Sequence, residues 1–350
     1  MSRARKTFTA RQPVDLVAAV PYLLGFHPED SVVLMTFGPG ETFHARVDLP
    51  VEEDAQAAVA EMLTGVVVRH GIERVAILVY TEVAWVAATF HDAVVPAMVT
   101  AGVDVIDVLR VGRHRFHSAA DPDDPGTAYD LRAHPFTAEQ VVDGAVVHRS
   151  RAELAASLDP VDLADAEAVA VVADRVDRRR RGPLGLVRPG HVEVDLLDEA
   201  LWIQRTLAEH LATTSPGVAM SAADAGRLIA LVREVELRDV AWAEMTRELA
   251  ARQVELWQGV VRRCPPEFLA APASLLAFAS WLNGNGALAW CALDRVAAVD
   301  PGYRMAGFVA ALLEQAVPPS TWSQMTDGVA PRRGGDLHDD LPDDDAPAAS

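Results

Sequence analysis

Lysine is almost absent from this chain: Lys6 is the only one among 350 residues. A Walker phosphate loop, a kinase-type strand lysine and a Schiff-base enzyme each need a lysine positioned inside the fold. None of the three is expected. Cysteine is scarce too. Cys264 and Cys291 are too few for a four-cysteine zinc site or a disulfide framework. Long apolar runs are also missing, since the most apolar span, residues 83–103, is broken by His91, Asp92 and Pro96. No transmembrane helix is expected from it. Arg3, Arg5, Lys6 and Arg11 lead into no uninterrupted apolar stretch, so no secretory signal is read and a cytoplasmic location is expected. GxSxG and HExxH are not found either.

What the chain does have is apolar mass and acid. Half of its residues are hydrophobic, enough to bury two cores, and its formal charge is -19. That charge disfavours broad contact with nucleic acid or an anionic membrane. Part of it lies in the tail GGDLHDDLPDDDAPAAS, which has no apolar period, and residues 323–350 are expected to be disordered.

Patterning divides the rest. Residues 13–20 read as a helix opened by Pro13 and stopped by Pro21. Residues 31–37 and 42–49 read as a hairpin around Gly38-Pro39-Gly40. A helix over 53–70, a buried strand RVAILVYT, a helix over 85–100 and a strand VDVIDVLRV follow. The order predicts a mixed α/β sheet covered by helices over residues 13–160, after a flexible N-terminus of residues 1–12. From about residue 159 the texture turns helical, which predicts an all-α domain over 161–322. Within it Leu197, Leu201, Ala208 and Leu211 are expected on one helix face. Ser221 is expected to cap another helix, and Pro318-Pro319 to end the order. The densest apolar block, LLAFASWLNGNGALAWCALDRVAAVDPGYRM, predicts a helical hairpin. Leu276, Ala277, Ala289, Leu293 and Pro301 sit at tetratricopeptide offsets, but Ala273 and Ser280 stand where that pattern has aromatics.

DLVAAVPYLLGFHPEDSVV (15–33) and LLAFASWLNGNGALAWCALDRVAAVDPGYRMAG (275–307) resemble the actinobacterial family catalogued as domain of unknown function 4192. ARVDLP (45–50) and GAVVHRSRAELAASLDP (144–160) fit the same family. The resemblance carries over no activity, cofactor or partner. Family members often show an Arg-Trp-Trp-Ser stretch followed by clustered cysteines. Here the matching region reads RFHSAADPDDPG (115–126), so a metal or redox role resting on those cysteines does not transfer.

Several polar groupings could carry chemistry. His27-Pro28-Glu29-Asp30-Ser31 feeds a strand, and Pro28 favours an extended His27. It reads either as turn chemistry with Asp30 capping the loop, or as an acid–base pair of His27 and Glu29. In TFHARVDL, His44 and Arg46 share a strand face about 7 Å apart, either as a solvated face or as ligand contacts. Arg110, Arg113, His114, Arg115 and His117 form a dense cationic cluster. It suits a carboxylate or phosphate, or else a solvated hairpin paired with Asp107 and Asp121. DPDDPG fails as a calcium loop, because Pro125 and Arg132 occupy ligand positions five and twelve. Gly284-Asn285-Gly286 follows no strand and is not a dinucleotide fingerprint. Arg178 to Arg181 suit a helix C-terminus.

Together these features predict a non-enzymatic adaptor or regulatory protein. Its α/β domain would sense a small anion through Arg110, Arg113, Arg115, His117, His44 and Arg46, and its helical domain would engage a protein partner. The rival is an enzyme acting on a small anionic substrate, with His27 and Glu29 doing acid–base work. That rival requires His27 and the arginines to line one concave pocket. No metal-ligand set and no cofactor is indicated.

Overall fold

Asp15 anchors the first helix by accepting hydrogen bonds from the backbone N–H groups of Arg11 and Gln12, at 2.7 and 2.9 Å. With Pro13 in the first turn this fixes helix α1, Pro13–Leu24. The helix does not stop at Pro21. Leu24 still belongs to the buried face, and Gly25, with φ 79°, supplies the left-handed cap that ends it. The computed structural model describes residues 10–38, 43–142, 144, 146–181, 192–212 and 218–322. The proposed turn at Gly38-Pro39-Gly40 lies largely outside them, as do most of the N-terminus and the acidic tail.

Strands β1 (Ser31–Phe37), β2 (His44–Asp48), β3 (Arg74–Tyr80), β4 (Asp104–Val111), β5 (Arg115–Ser118) and β6 (Thr127–Ala128) form one sheet in the order β2-β1-β3-β4-β5-β6. Only β3 and β4 run parallel; the other neighbours are antiparallel, giving the mixed sheet expected. Helix α2 (Glu53–Arg69) precedes β3, and α3 (Ala84–Thr100) makes the crossover to β4. Alternation along the strands splits the apolar side chains. Val32, Leu34, Ile77 and Val79 meet Leu63 of α2 and Phe90 of α3. Val33, Met35, Leu78, Leu109 and Val111 face the other way, onto α1 and the helical half. Both faces are covered, which is why β1 and β3 read as unbroken apolar runs.

The helices continue as α4 (Pro135–Val142), α5 (Arg151–Ala156), α6 (Leu163–Arg181), α7 (Val192–Ala212), α8 (Ala222–Leu231) and α9 (Val235–Ala243). After them come α10 (Ala250–Val261), α11 (Ala270–Leu282), α12 (Gly286–Val299) and α13 (Arg304–Glu314). The hairpin is present: Asn285 caps α12 by accepting from the Leu288 N–H at 3.0 Å. Helix α11 is buried from Ala271 to Leu282, so it is the centre of the helical half. That placement gives no support to the tetratricopeptide likeness.

Two expectations are corrected here. In α7 the buried stripe is Ile203, Leu207 and Leu211, while Leu197 and Leu201 are 62 % and 54 % exposed. Pro318-Pro319 does not end the order either. Trp322 stacks on Trp242, ring centroids 5.6 Å apart, and its Nε1–H donates to the Met245 carbonyl at 3.0 Å.

The two halves share one apolar cluster, from Val33 and Leu78 of the sheet to Leu276 and Phe278 of α11. Polar ties reinforce it at the end of α5. Arg295 donates to the carbonyls of Ala155 and Leu158, each at 3.1 Å, and Arg262 donates to that of Ser157 at 2.6 Å. The Ser157 and Leu158 carbonyls lie past the last turn of α5, and that of Ala155 also accepts the Leu158 N–H at 3.2 Å, so the two arginines help close the end of the helix.

Candidate functional site: a cationic cleft at the carboxyl edge of the parallel strands

Strands β3 and β4 end together, and in open α/β sheets the crevice beyond such carboxyl ends is where ligands bind. Here the β4–β5 turn, residues 112–114, rises beyond that edge. Three bonds hold the turn. The Tyr129 hydroxyl donates to the Gly112 carbonyl at 2.6 Å, the Arg113 N–H donates to Glu82 Oε1 at 2.8 Å, and the Tyr129 N–H donates to the His114 carbonyl at 3.2 Å. Across from it, the chain leaving α1 is pinned by a parallel bridge between Phe26 and His148. In that bridge the His27 N–H donates to the His148 carbonyl at 3.0 Å. A third wall comes from residues 129–137, where Asp130 Oδ1 accepts the Arg132 N–H at 2.9 Å and starts a 3₁₀ turn.

Between these walls lies a cleft of ≈ 380 Å³ lined by His27, Arg113, His114, Tyr129, Asp130, Arg132 and Thr137, with Pro21, Tyr22, Leu131 and Val147 as its apolar part. Two guanidiniums and two imidazoles face one carboxylate. Among the described residues, the side chains of Arg113 and Arg132 form no hydrogen bond or ion pair. Thr137 Oγ1 is buried with no partner. His27 remains exposed to solvent, but partial desolvation against the cleft walls lowers its pKa below the usual 6.5. Burial, then the Glu82 carboxylate, raises that of Tyr129, which stays a protonated donor.

Only His27 and Arg113 of the eight expected site residues reach this cleft. Glu29 is exposed and does not line it. Arg110 points to the opposite face of the sheet: it is level with Val79 of the α2–α3 side and directly opposite His117. Arg115 and His117 are spent on the loop beyond β5. Arg115 donates to the carbonyls of Pro125 and Gly126, at 2.9 and 2.6 Å, and His117 Nδ1 lies 2.8 Å from the Asp124 carbonyl oxygen. Asp124 closes that loop by accepting from Ser118 and Gly126 N–H, so the loop's main acidic anchor is Asp124 rather than Asp107 or Asp121. His44 and Arg46 lie on β2, four strand spacings from β5, or about 19 Å. Arg46 is paired there with Ser31 and Asp48.

The single pocket that the enzyme reading needed is therefore not formed: His27 and Arg110 are on opposite sides of the sheet. Sequence reasoning passed over Tyr129, Arg132 and Thr137. They are far from His27 along the chain, and no spacing signals their approach; Arg132 drew notice only for spoiling a calcium loop.

The run Arg178–Arg181 also has an internal role. Arg181 pairs with Asp177 at 3.0 Å and Glu234 at 3.2 Å, and Arg180 lies 3.7 Å from Glu199. Among the described residues no helix is long and apolar enough to cross a membrane, and no group of three or more His, Cys, Asp or Glu is placed to hold a metal ion.

No curated protein and no solved structure matches the chain. A family profile does match, over residues 13–320, which takes in α1, the whole sheet, the walls of the cleft and the helical half through α13. The chain belongs to the family described as Domain of unknown function (DUF4192).

Proposed function

We propose that the protein binds a small carboxylate- or phosphate-bearing anion in the carboxyl-edge cleft, and works as a binding or regulatory protein rather than an enzyme. The observation that carries this is the pair Arg113 and Arg132, two guanidiniums lining one cleft without a side-chain partner among the described residues. Arginine forks match carboxylate and phosphate oxygens bidentately. Thr137 Oγ1, buried and unpartnered, is a further donor, since such a group costs stability unless something binds it. The volume falls at the lower end of small-molecule pockets, about 300–1,000 Å³. Glu29 does not line the cleft, so the acid–base pair of His27 and Glu29 is not formed, and the one lining carboxylate, Asp130, is engaged by the Arg132 N–H. A protein-binding role for the helical half has less behind it, because the hairpin that suggested it is interior.

A thermal-shift screen of the purified protein against phosphorylated and carboxylated metabolites tests the proposal. A ligand at a hundred times its dissociation constant adds about 2.7 kcal/mol and raises the midpoint by several degrees. Arg113→Ala and Arg132→Ala should abolish the rise while leaving the unliganded midpoint in place. A panel without a hit, or a hit untouched by both variants, would refute it.

A further inference from the structure

A second pocket, of ≈ 320 Å³, opens in the helical half between the end of α7 and one face of α10. Arg252, Leu256, Gly259 and Arg263 follow one another at helical spacing, so a single face of α10 supplies most of one wall. His210 closes the pocket from α7. The lining cations are Arg252, Arg262 and Arg263, His210 stands beside them, and among the described residues the one lining carboxylate is Glu255, with Asp165 paired to Arg263 from outside the lining. On a chain of formal charge -19, that local excess of positive charge is unusual.

Two of these arginines are held in place by carbonyl oxygens. Arg263, 8 % exposed, donates from Nη1 to the Met220 carbonyl at 2.7 Å and from Nε to the Gly259 carbonyl at 2.9 Å. Asp165 Oδ2 is 3.5 Å from it. Arg262 is fixed through Nε to the Ser157 carbonyl at 2.6 Å. A guanidinium has five N–H donors, so each keeps others for a ligand while its orientation is already fixed. The opposite side, with Leu211, Val218, Ala219 and Met220, is apolar.

We infer that this pocket is a second anion site, taking the phosphate group of a small molecule whose remaining part is apolar. Three arginines lining one volume gain more from the charge of a phosphate group, about −1.5 to −2, than from the single charge of one carboxylate. The field in the pocket is already felt by His210, whose pKa is lowered by burial and then by the Arg252 and Arg263 charges. A bound phosphate would reverse that electrostatic push.

The test uses the full chain and pyrophosphate as probe, with citrate as the carboxylate control. The His210 ring resonance, identified by its loss in His210→Gln, is titrated with pH by NMR. Saturating pyrophosphate should move the titration to higher pH, by about one unit if a charge lands beside the ring. Arg252→Gln should weaken that response at least about tenfold, and so should Gln258→Glu, which brings to the rim a carboxylate that repels the anion and competes for Arg262. Arg113→Ala should leave it unchanged, separating this site from the carboxyl-edge cleft. A His210 titration indifferent to millimolar pyrophosphate would overturn the inference. So would a response lost in Arg113→Ala but kept in Arg252→Gln, or an equal response to citrate.

Discussion

Gly226 offers a sharp test of how the helical half is packed. It lies inside α8, where alanine has the better helix propensity by about 1 kcal/mol. A Cβ built there would sit 2.6 Å from Val172 Cβ, 2.7 Å from the Val169 carbonyl oxygen and 2.8 Å from Val172 Cγ1. Two of those atoms belong to a β-branched side chain and the third to backbone, so none can rotate away and α6 and α8 must separate. Overpacking of this kind costs about 1–3 kcal/mol, which exceeds the propensity gain. Gly226→Ala should therefore destabilise the protein by up to about 2 kcal/mol net. Gly65 is the internal control: it lies in α2, it is exposed, and a Cβ there meets nothing within 4 Å. Gly65→Ala should stabilise by about 0.5–1 kcal/mol. Urea unfolding of the wild type and both variants, compared at constant slope, reads the two signs directly. If Gly226→Ala were as stabilising as Gly65→Ala, the close crossing of α6 and α8 would be refuted.

Arg295→Ala should cost about 1–2 kcal/mol in urea unfolding, since the Leu158 carbonyl loses its guanidinium donor while that of Ala155 keeps the Leu158 N–H; a change under about 0.5 kcal/mol would mean that solvent satisfies it instead. Acidification should destabilise through histidine: His27 and His210 have folded pKa values below 6.5, so the unfolded chain binds their protons more readily. That stability is complete above about pH 7 and falls as pH drops through 6.5, and His210→Gln should remove more of the fall than His27→Gln, because His27 is exposed. Cys264 and Cys291 should resist an aromatic disulfide reagent in the native protein and react once unfolded, because burial raises both thiol pKa values. Fast native labelling would contradict their placement.

Much of the sheet was legible because β1 and β3 are covered on both faces, which leaves unbroken runs of Val, Ile and Leu in the sequence. β6 was not legible, since two residues have no period. The face of α7 was misread for a physical reason. Leu196, Ala200, Ile203, Leu207 and Leu211 form one helical stripe, and Leu197, Leu201 and Ala208 form another beside it. Periodicity alone does not choose between them; packing in the folded helical half buries the first. Pro21 misled because a proline inside a helix usually ends it, whereas here the apolar face and the Gly25 cap carry the helix three residues further. The cleft was half legible. His27 and Arg113 stand out as polar residues beside strands. Arg132 and Thr137 join them only because the chain after β6 folds back against the β4–β5 turn.

The central claim is that Arg113 and Arg132 together hold an anion. Its most direct test is calorimetric titration of the best anion from the screen into the wild type and the Arg113→Ala/Arg132→Ala double variant. Each charge-assisted contact is worth about 1.5–3 kcal/mol, so losing both should weaken binding at least about a hundredfold. Affinity within about twofold of the wild type would place the anion elsewhere and contradict the account.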